Sequence, residues 1–259
     1  MPDRADQPEP SKPVRTWRPI LLWAAGLLLA LGLAWFIGAV TVPIWQVRAA
    51  VAHTDIDVAR LGGPSAAIRK VDLYLRMPDR IAPGKDLTML IMGRCGSEAT
   101  PYLIDILRRE QNVRLCTMAV YALGEREDAR AVEAVLSAMQ DSRAGVRASA
   151  ASVLRNVSGP RAHQALLAAT RDQDAYVRYE VIEAIGESKP PDAVDVMITA
   201  LSDPDMSVRW GAVQFLAEFR DQRALSALEE LSRRETDERV IEEIGKAVEQ
   251  ITTSGYQKP

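Results

Sequence analysis

The chain is poor in the residues that build many kinds of site. Aromatic side chains make up only 5% of its 259 residues, which argues against a strand-rich fold, since strands recruit aromatic and β-branched side chains. Histidine occurs twice, at His53 and His163, and neither has a suitably spaced His, Cys or carboxylate companion. A zinc or di-iron centre needs several such ligands, so no metal and no cofactor are expected. Two cysteines cannot form a disulfide framework, and Cys95 and Cys116 lack metal-site spacing; both are expected as buried thiols. Charge of either sign is close to balanced, 32 basic against 35 acidic residues and a net charge of −3, which does not advertise a nucleic-acid partner. No G-x-S-x-G elbow, Walker A loop or G-x-G-x-x-G turn occurs. What is abundant is apolar residues, at 47%, enough for a core and too many for wholesale disorder.

One long apolar run stands near the N-terminus. Residues 1–16 read as a disordered, proline-rich cytoplasmic tail. From Ile20 to Val42 there are 23 residues without a charge. As a helix this run is ~34 Å long, enough to cross a ~30 Å hydrocarbon core. Trp17 and Trp45 bracket it, as indoles do at membrane interfaces, so 17–45 reads as a transmembrane anchor and 46–63 as a juxtamembrane spacer. A cleaved signal peptide is the alternative, but its apolar core usually runs only ~7 to 15 residues. Arg4, Lys12, Arg15 and Arg18 precede the run, which predicts a cytoplasmic N-terminus and an extracytoplasmic C-terminal part, periplasmic in a bacterium; the alternative places that part in the cytoplasm. Ala30, Ala34 and Gly38 form a small-xxx-small ladder that would suit a homodimer.

The informative region begins near Ala99. Comparing the chain with itself at an offset of 31 residues gives five copies over 99–253, followed by a short tail, 254–259. Their second halves read LCTMAVYALGE from Leu115, VRASAASVLRN from Val146, VRYEVIEAIGE from Val177, VRWGAVQFLAE from Val208 and a degenerate RVIEEIGKAVE from Arg239. Each copy predicts two helices. The first carries one apolar column through Ile104, Val135, Leu166, Met197 and Leu228, and another through Leu107, Ala138, Ala169, Ala200 and Leu231. The second carries Val120, Ala151, Ile182, Val213 and Ile244, then Leu123, Leu154, Ile185, Leu216 and Ala247. One hairpin cannot bury both faces, so the copies must stack. The expected fold is all-α: a right-handed α-solenoid of helical hairpins preceded by one transmembrane helix. A divergent hairpin over 64–98 would cap the stack.

In the middle copies Asp141, Asp172 and Asp203 lie six residues before Arg147, Arg178 and Arg209. A two-helix unit of this length, with a loop Asp and a VR opening its second helix, resembles the HEAT-like repeats of the phycobilisome-lyase type over about 99–253. The resemblance implies that these Asp and Arg side chains form a structural ladder between neighbouring units. In the end copies Cys116 and Val240 stand in the register of the ladder arginine. Some HEAT-like proteins resembling deoxyhypusine hydroxylase use paired His-Glu motifs for iron. Here Thr54 follows His53 and Gln164 follows His163, so that activity is not implied.

What remains is the surface. One column of the second helices reads Thr117, Ala148, Tyr179, Trp210, Ile241, and another reads Glu125, Asn156, Glu187, Glu218, Glu249, with Glu180, Glu183 and Glu242 nearby. An aromatic stripe beside carboxylates suits a partner with a hydrophobic anchor and basic flanks; the competing reading makes the aromatics packing and the glutamates a solvated face. The expectation is a non-enzymatic, membrane-tethered scaffold that binds a protein or peptide through Tyr179, Trp210, Glu180, Glu183, Glu187 and Glu218. The alternatives are a HEAT-like enzyme of lyase or hydroxylase type and a structural subunit of a membrane complex.

Overall fold

Short helices separated by polar turns follow from the punctuation of the chain. In a computed structural model, residues 46–47, 58–77, 88–126 and 128–254 are described, and every regular element among them is helical. Upstream lie α1 (Pro64–Leu75) and α2 (Thr88–Arg94). Five pairs follow: α3 (Thr100–Arg109) with α4 (Val113–Gly124), α5 (Ala129–Ala138) with α6 (Ala144–Leu154), α7 (Pro160–Ala169) with α8 (Ala175–Ser188), α9 (Ala193–Ala200) with α10 (Met206–Phe219), and α11 (Leu225–Arg234) with α12 (Glu238–Ser254). Asn112, Asp174 and Asp205 each accept a backbone amide at the start of α4, α8 and α10, satisfying donors that a helix N-terminus leaves free. Helices α8 and α10 end in the left-handed region at Lys189 (φ 48°) and Arg220 (φ 55°), and this repeated stop redirects the chain into the next unit.

The second helices α4, α6, α8, α10 and α12 pack side by side in one row, each against its predecessor, and the first helices lean on that row. The shared seam holds the core: Val120, Leu123, Ala151, Leu154, Ile182, Ile185, Val213, Leu216, Ile244 and Ala247 are all buried. Val135, Leu166, Met197 and Leu228 close it from the first helices. Helix α3 differs. Leu103 and Ile106 are buried there, while the expected Ile104 and Leu107 are half-buried, a rotation of about 100° about the helix axis.

Register also shifts at the C-terminal end. The capping carboxylates Asp205 and Asp237 are 32 residues apart, not 31, because buried Val240 follows buried Leu228 by one residue more than Val208 follows Met197. Val240 is fully buried and therefore corresponds to Val208, not to the ladder position of Arg209. By the same shift Glu242, not Ile241, follows Trp210 in the surface column, and Ile241 stands exposed.

The upstream hairpin joins the same row, since α2 packs on α4. Arg126 makes the joint: only 9% exposed, it donates to the carbonyls of Met92 (2.7 Å), Gly93 and Gly96 (3.0 Å). Two of these carbonyls belong to the last turn of α2, where the helix dipole welcomes a cation. Arg109 adds an ion pair to Asp72 of α1 (2.9 Å).

One expectation is corrected. Among the described residues no helix is long and apolar enough to cross a membrane; the longest, α12, has 17 residues and carries several Glu, Arg and Lys. A span needs about 20 apolar residues. The localisation as a single-pass membrane protein with an extracytoplasmic repeat domain does not stand on this finding. The stretch 17–45 assigned to the anchor, the 1–16 tail and the Ala30, Ala34 and Gly38 dimer ladder all lie outside the described residues.

Candidate functional site

Two arrangements on the solenoid involve the residues singled out by their periodicity: a line of ion pairs in the loops and a cleft on the second-helix face. In the loops, Arg147 Nε and Nη2 donate to both carboxylate oxygens of Asp172 in the next unit (2.7 and 2.8 Å), while Nη1 donates to the Asp141 carbonyl (2.8 Å). Arg178 repeats this one unit on, with Asp203 (2.7 and 2.8 Å) and the Asp172 carbonyl (2.8 Å). Asp172 and Asp203 also accept the amides of Asp174 and Asp205, so each carboxylate ties a turn to its neighbour. The guanidinium of Arg147 and the amide of Asp174 hold the Asp172 carboxyl below its ordinary range.

The ends of the ladder use residues that the 31-residue spacing does not reveal. Arg209 pairs with Glu235 (2.6 and 2.9 Å), which lies 32 residues after Asp203, the same single-residue shift seen in α12. At the other end Cys116 occupies the arginine position. Arg143 of the following turn reaches back, donating to the Glu110 carbonyl (2.6 Å), which is the counterpart of Asp141, and to the Cys116 sulfur (3.0 Å). Arg143 also takes up Asp141 (2.7 Å), so Asp141 is paired within its own turn and not with an arginine of the preceding unit. Cys95 and Cys116 are buried free thiols, and burial pushes Cys95 up to about 11.

The second arrangement is a cleft of about 780 Å³ formed by the N-terminal halves of α8, α10 and α12. Tyr176, Tyr179, Met206 and Trp210 supply its apolar surface; Asp205, Arg239, Glu242, Glu243 and Lys246 supply its charge. Tyr179 and Trp210 are half-buried, while Tyr176 is 58% exposed. Tyr176 lies three residues before Tyr179, hence on the same helical face; it escapes notice when one residue per unit is read. The hydrogen bond from its hydroxyl to Glu180, with burial, pushes Tyr176 up to about 12. Burial and the neighbouring charge of Glu183 do the same for Tyr179, again to about 12. Both phenols are therefore neutral donors across the physiological range. Burial, with the like charges of Glu187 and Glu180, raises the Glu183 carboxyl.

Of the six residues expected to contact a partner, only Tyr179 and Trp210 line the cleft. Glu180 and Glu183 stand beside them on α8, bonded to the two tyrosines. Glu187 and Glu218 are occupied elsewhere: Glu187 pairs with Arg155 (2.9 Å) and Glu218 with Lys189 (2.6 Å), each clamping adjacent second helices. Among the described residues no group of three or more His, Cys, Asp or Glu side chains is placed to hold a metal ion. His163 bonds to Asp192 (3.0 Å).

A sequence profile described as HEAT repeats matches residues 100–178 and 164–249, more than half of the chain. No curated protein matches in sequence. Among solved structures, the Escherichia coli protein YibA aligns with a TM-score of 0.52 at 19% identity, covering 76% of this chain and 78% of its own. Human deoxyhypusine hydroxylase aligns at 18% identity and a TM-score of 0.36, covering 84% of this chain and 99% of its own. The CpcE–CpcF phycocyanin lyase complex of Nostoc sp. PCC7120 aligns at 18% identity and a TM-score of 0.35, covering 71% of this chain and 98% of the aligned chain. Likeness at this level concerns the fold.

Proposed function

Since this chain belongs to the HEAT repeats family, we propose that it is a non-enzymatic scaffold that holds a protein or peptide in the cleft between α8, α10 and α12. Stacked helical pairs give an extended, rigid face well suited to such partners. The observation that carries the reading is the cleft itself: two tyrosines, a tryptophan and a methionine gathered from successive helices and left accessible within a charged rim. Aromatic side chains in a pocket with a polar border are the usual anchors of an interface. Tyr179 and Trp210 are the contact residues, joined by Tyr176 and Met206, with Glu180 and Glu183 behind them. Glu187 and Glu218 act on binding indirectly, by fixing the spacing of α6, α8 and α10. The Asp–Arg ladder through Arg147, Asp172, Arg178 and Asp203 is structural, with Asp141 joined to it through Arg143. The five units over 99–253 are the binding body, closed at one end by the hairpin over 64–98.

The test is the double variant Tyr179→Ala/Trp210→Ala in the full chain, with partners recovered from a native extract and thermal melting followed in parallel. The expected result is loss of co-purifying protein with helical signal and melting temperature close to those of the parent chain. Unchanged recovery would refute the cleft as the binding surface. A melting temperature lowered by many degrees would make the two rings packing residues.

A further inference from the structure

The charge around the cleft is not balanced, and the imbalance names a partner chemistry. On its α12 wall two carboxylates, Glu242 and Glu243, share a single ammonium, Lys246 (2.9 and 3.4 Å). Arg239, the other cation lining the cleft, is held by Asp237 of its own turn (3.2 Å). On the α8 wall Glu180 and Glu183 take hydrogen bonds from tyrosine hydroxyls, not ion pairs. With Asp205 and Asp237, six carboxylates thus stand in or beside the cleft against two cations, both already paired, around a floor of three aromatic rings. A phenol donating to a carboxylate has a more electron-rich ring, which strengthens the attraction of its face for a cation. Burial first, then the like charges of Glu187 and Glu180, raise the Glu183 carboxyl, so a new positive neighbour favours its anion.

Resting on the binding role proposed above, we infer that the cleft takes an arginine side chain from a basic segment of the partner. Its methylene stem lies on Met206 and Trp210, its guanidinium plane faces the tyrosine rings, and its charge answers Glu242 and Glu243. Arginine fits better than lysine, because a planar guanidinium stacks on rings and bonds carboxylates through two donors at once. An acidic segment would add charge of the sign already in excess.

The experiment selects a random peptide library, displayed on phage, on the full chain and on three variants of it: Trp210→Ala, Tyr176→Ala and the double variant Glu242→Gln/Glu243→Gln. The expected outcome is enrichment of arginine-bearing basic peptides that are lost on the two aromatic variants. On the double glutamine variant, which keeps the shape of both side chains and removes their charge, their affinity should fall about fivefold and depend less on salt. Enriched peptides that require Trp210 but lack arginine would overturn the arginine assignment and leave the binding role standing. Selection of nothing that depends on Trp210 or Tyr176 would overturn both.

Discussion

Glu235 offers the most discriminating perturbation of the ladder. Its side chain is only 2% exposed and accepts two bonds from Arg209 and two from the amides of Thr236 and Asp237. These donors, the arginine first, pull its carboxyl from 4.5 to about 2. A displacement of that size corresponds to about 3 kcal/mol between charged and neutral forms. Arg209 keeps 16% of its side chain exposed, and solvent there screens the pair, so about 1–2 kcal/mol is the stability expected at neutral pH. The folded chain holds the carboxyl at the lower value, so this contribution is present above pH 4.5 and disappears as the pH falls towards 2. Glu235→Gln keeps the shape and an acceptor but loses the charge opposite Arg209. Urea unfolding followed by the helical circular dichroism signal, at a series of pH values, compares variant and parent. The variant should be about 1–2 kcal/mol less stable at neutral pH, with the difference closing between pH 4.5 and 2. Equal stability at neutral pH, or a difference that does not change with pH, would mean that the Arg209–Glu235 charge pair does not stabilise the fold.

Two further substitutions test the joints. Arg126→Met removes the cation that caps α2 and its bonds to the carbonyls of Met92, which keeps only the Cys95 amide, and of Gly96; a loss of about 2–3 kcal/mol is expected. Hydrogen exchange should show the loss concentrated in α1 and α2, and uniform loosening of all five pairs would contradict it. At Gly186 an added methyl would come within 2.5 Å of the Phe215 ring, so Gly186→Ala should force α8 and α10 apart at a cost of about 1–3 kcal/mol, read from the melting temperature. A neutral effect would mean that the ring can turn aside freely.

The stacking was legible in the sequence because the second helices bury apolar columns one unit apart. Val120 to Val213 and Leu123 to Leu216 recur for a physical reason: each second helix faces its predecessor, and α12, one residue out of register, buries Ile244 and Ala247 in the places of Ala212 and Phe215. What the spacing missed has an equally physical origin. One extra residue between Leu228 and Val240 moves Glu235, Val240 and Glu242 out of a strict 31-residue register, so the third ladder carboxylate and the true neighbour of Trp210 were hidden. Arg143 was missed because it replaces an absent side chain from a different turn. Glu187 and Glu218 looked like a free acidic column, yet Arg155 and Lys189, which neutralise them, sit at unrelated positions in their units. Pairing across a helix seam depends on side-chain reach, which no periodicity records.

The proposed binding role requires that the cleft be the face that meets a partner. A photoreactive amino acid placed at Tyr176 in the full chain, and in a control at Thr199 on α9, tests this in living cells. A discrete cross-linked product is expected at Tyr176, absent from the Thr199 control and lost when Trp210 is also replaced by Ala. Identical products from both positions, or a Tyr176 product indifferent to Trp210, would contradict it.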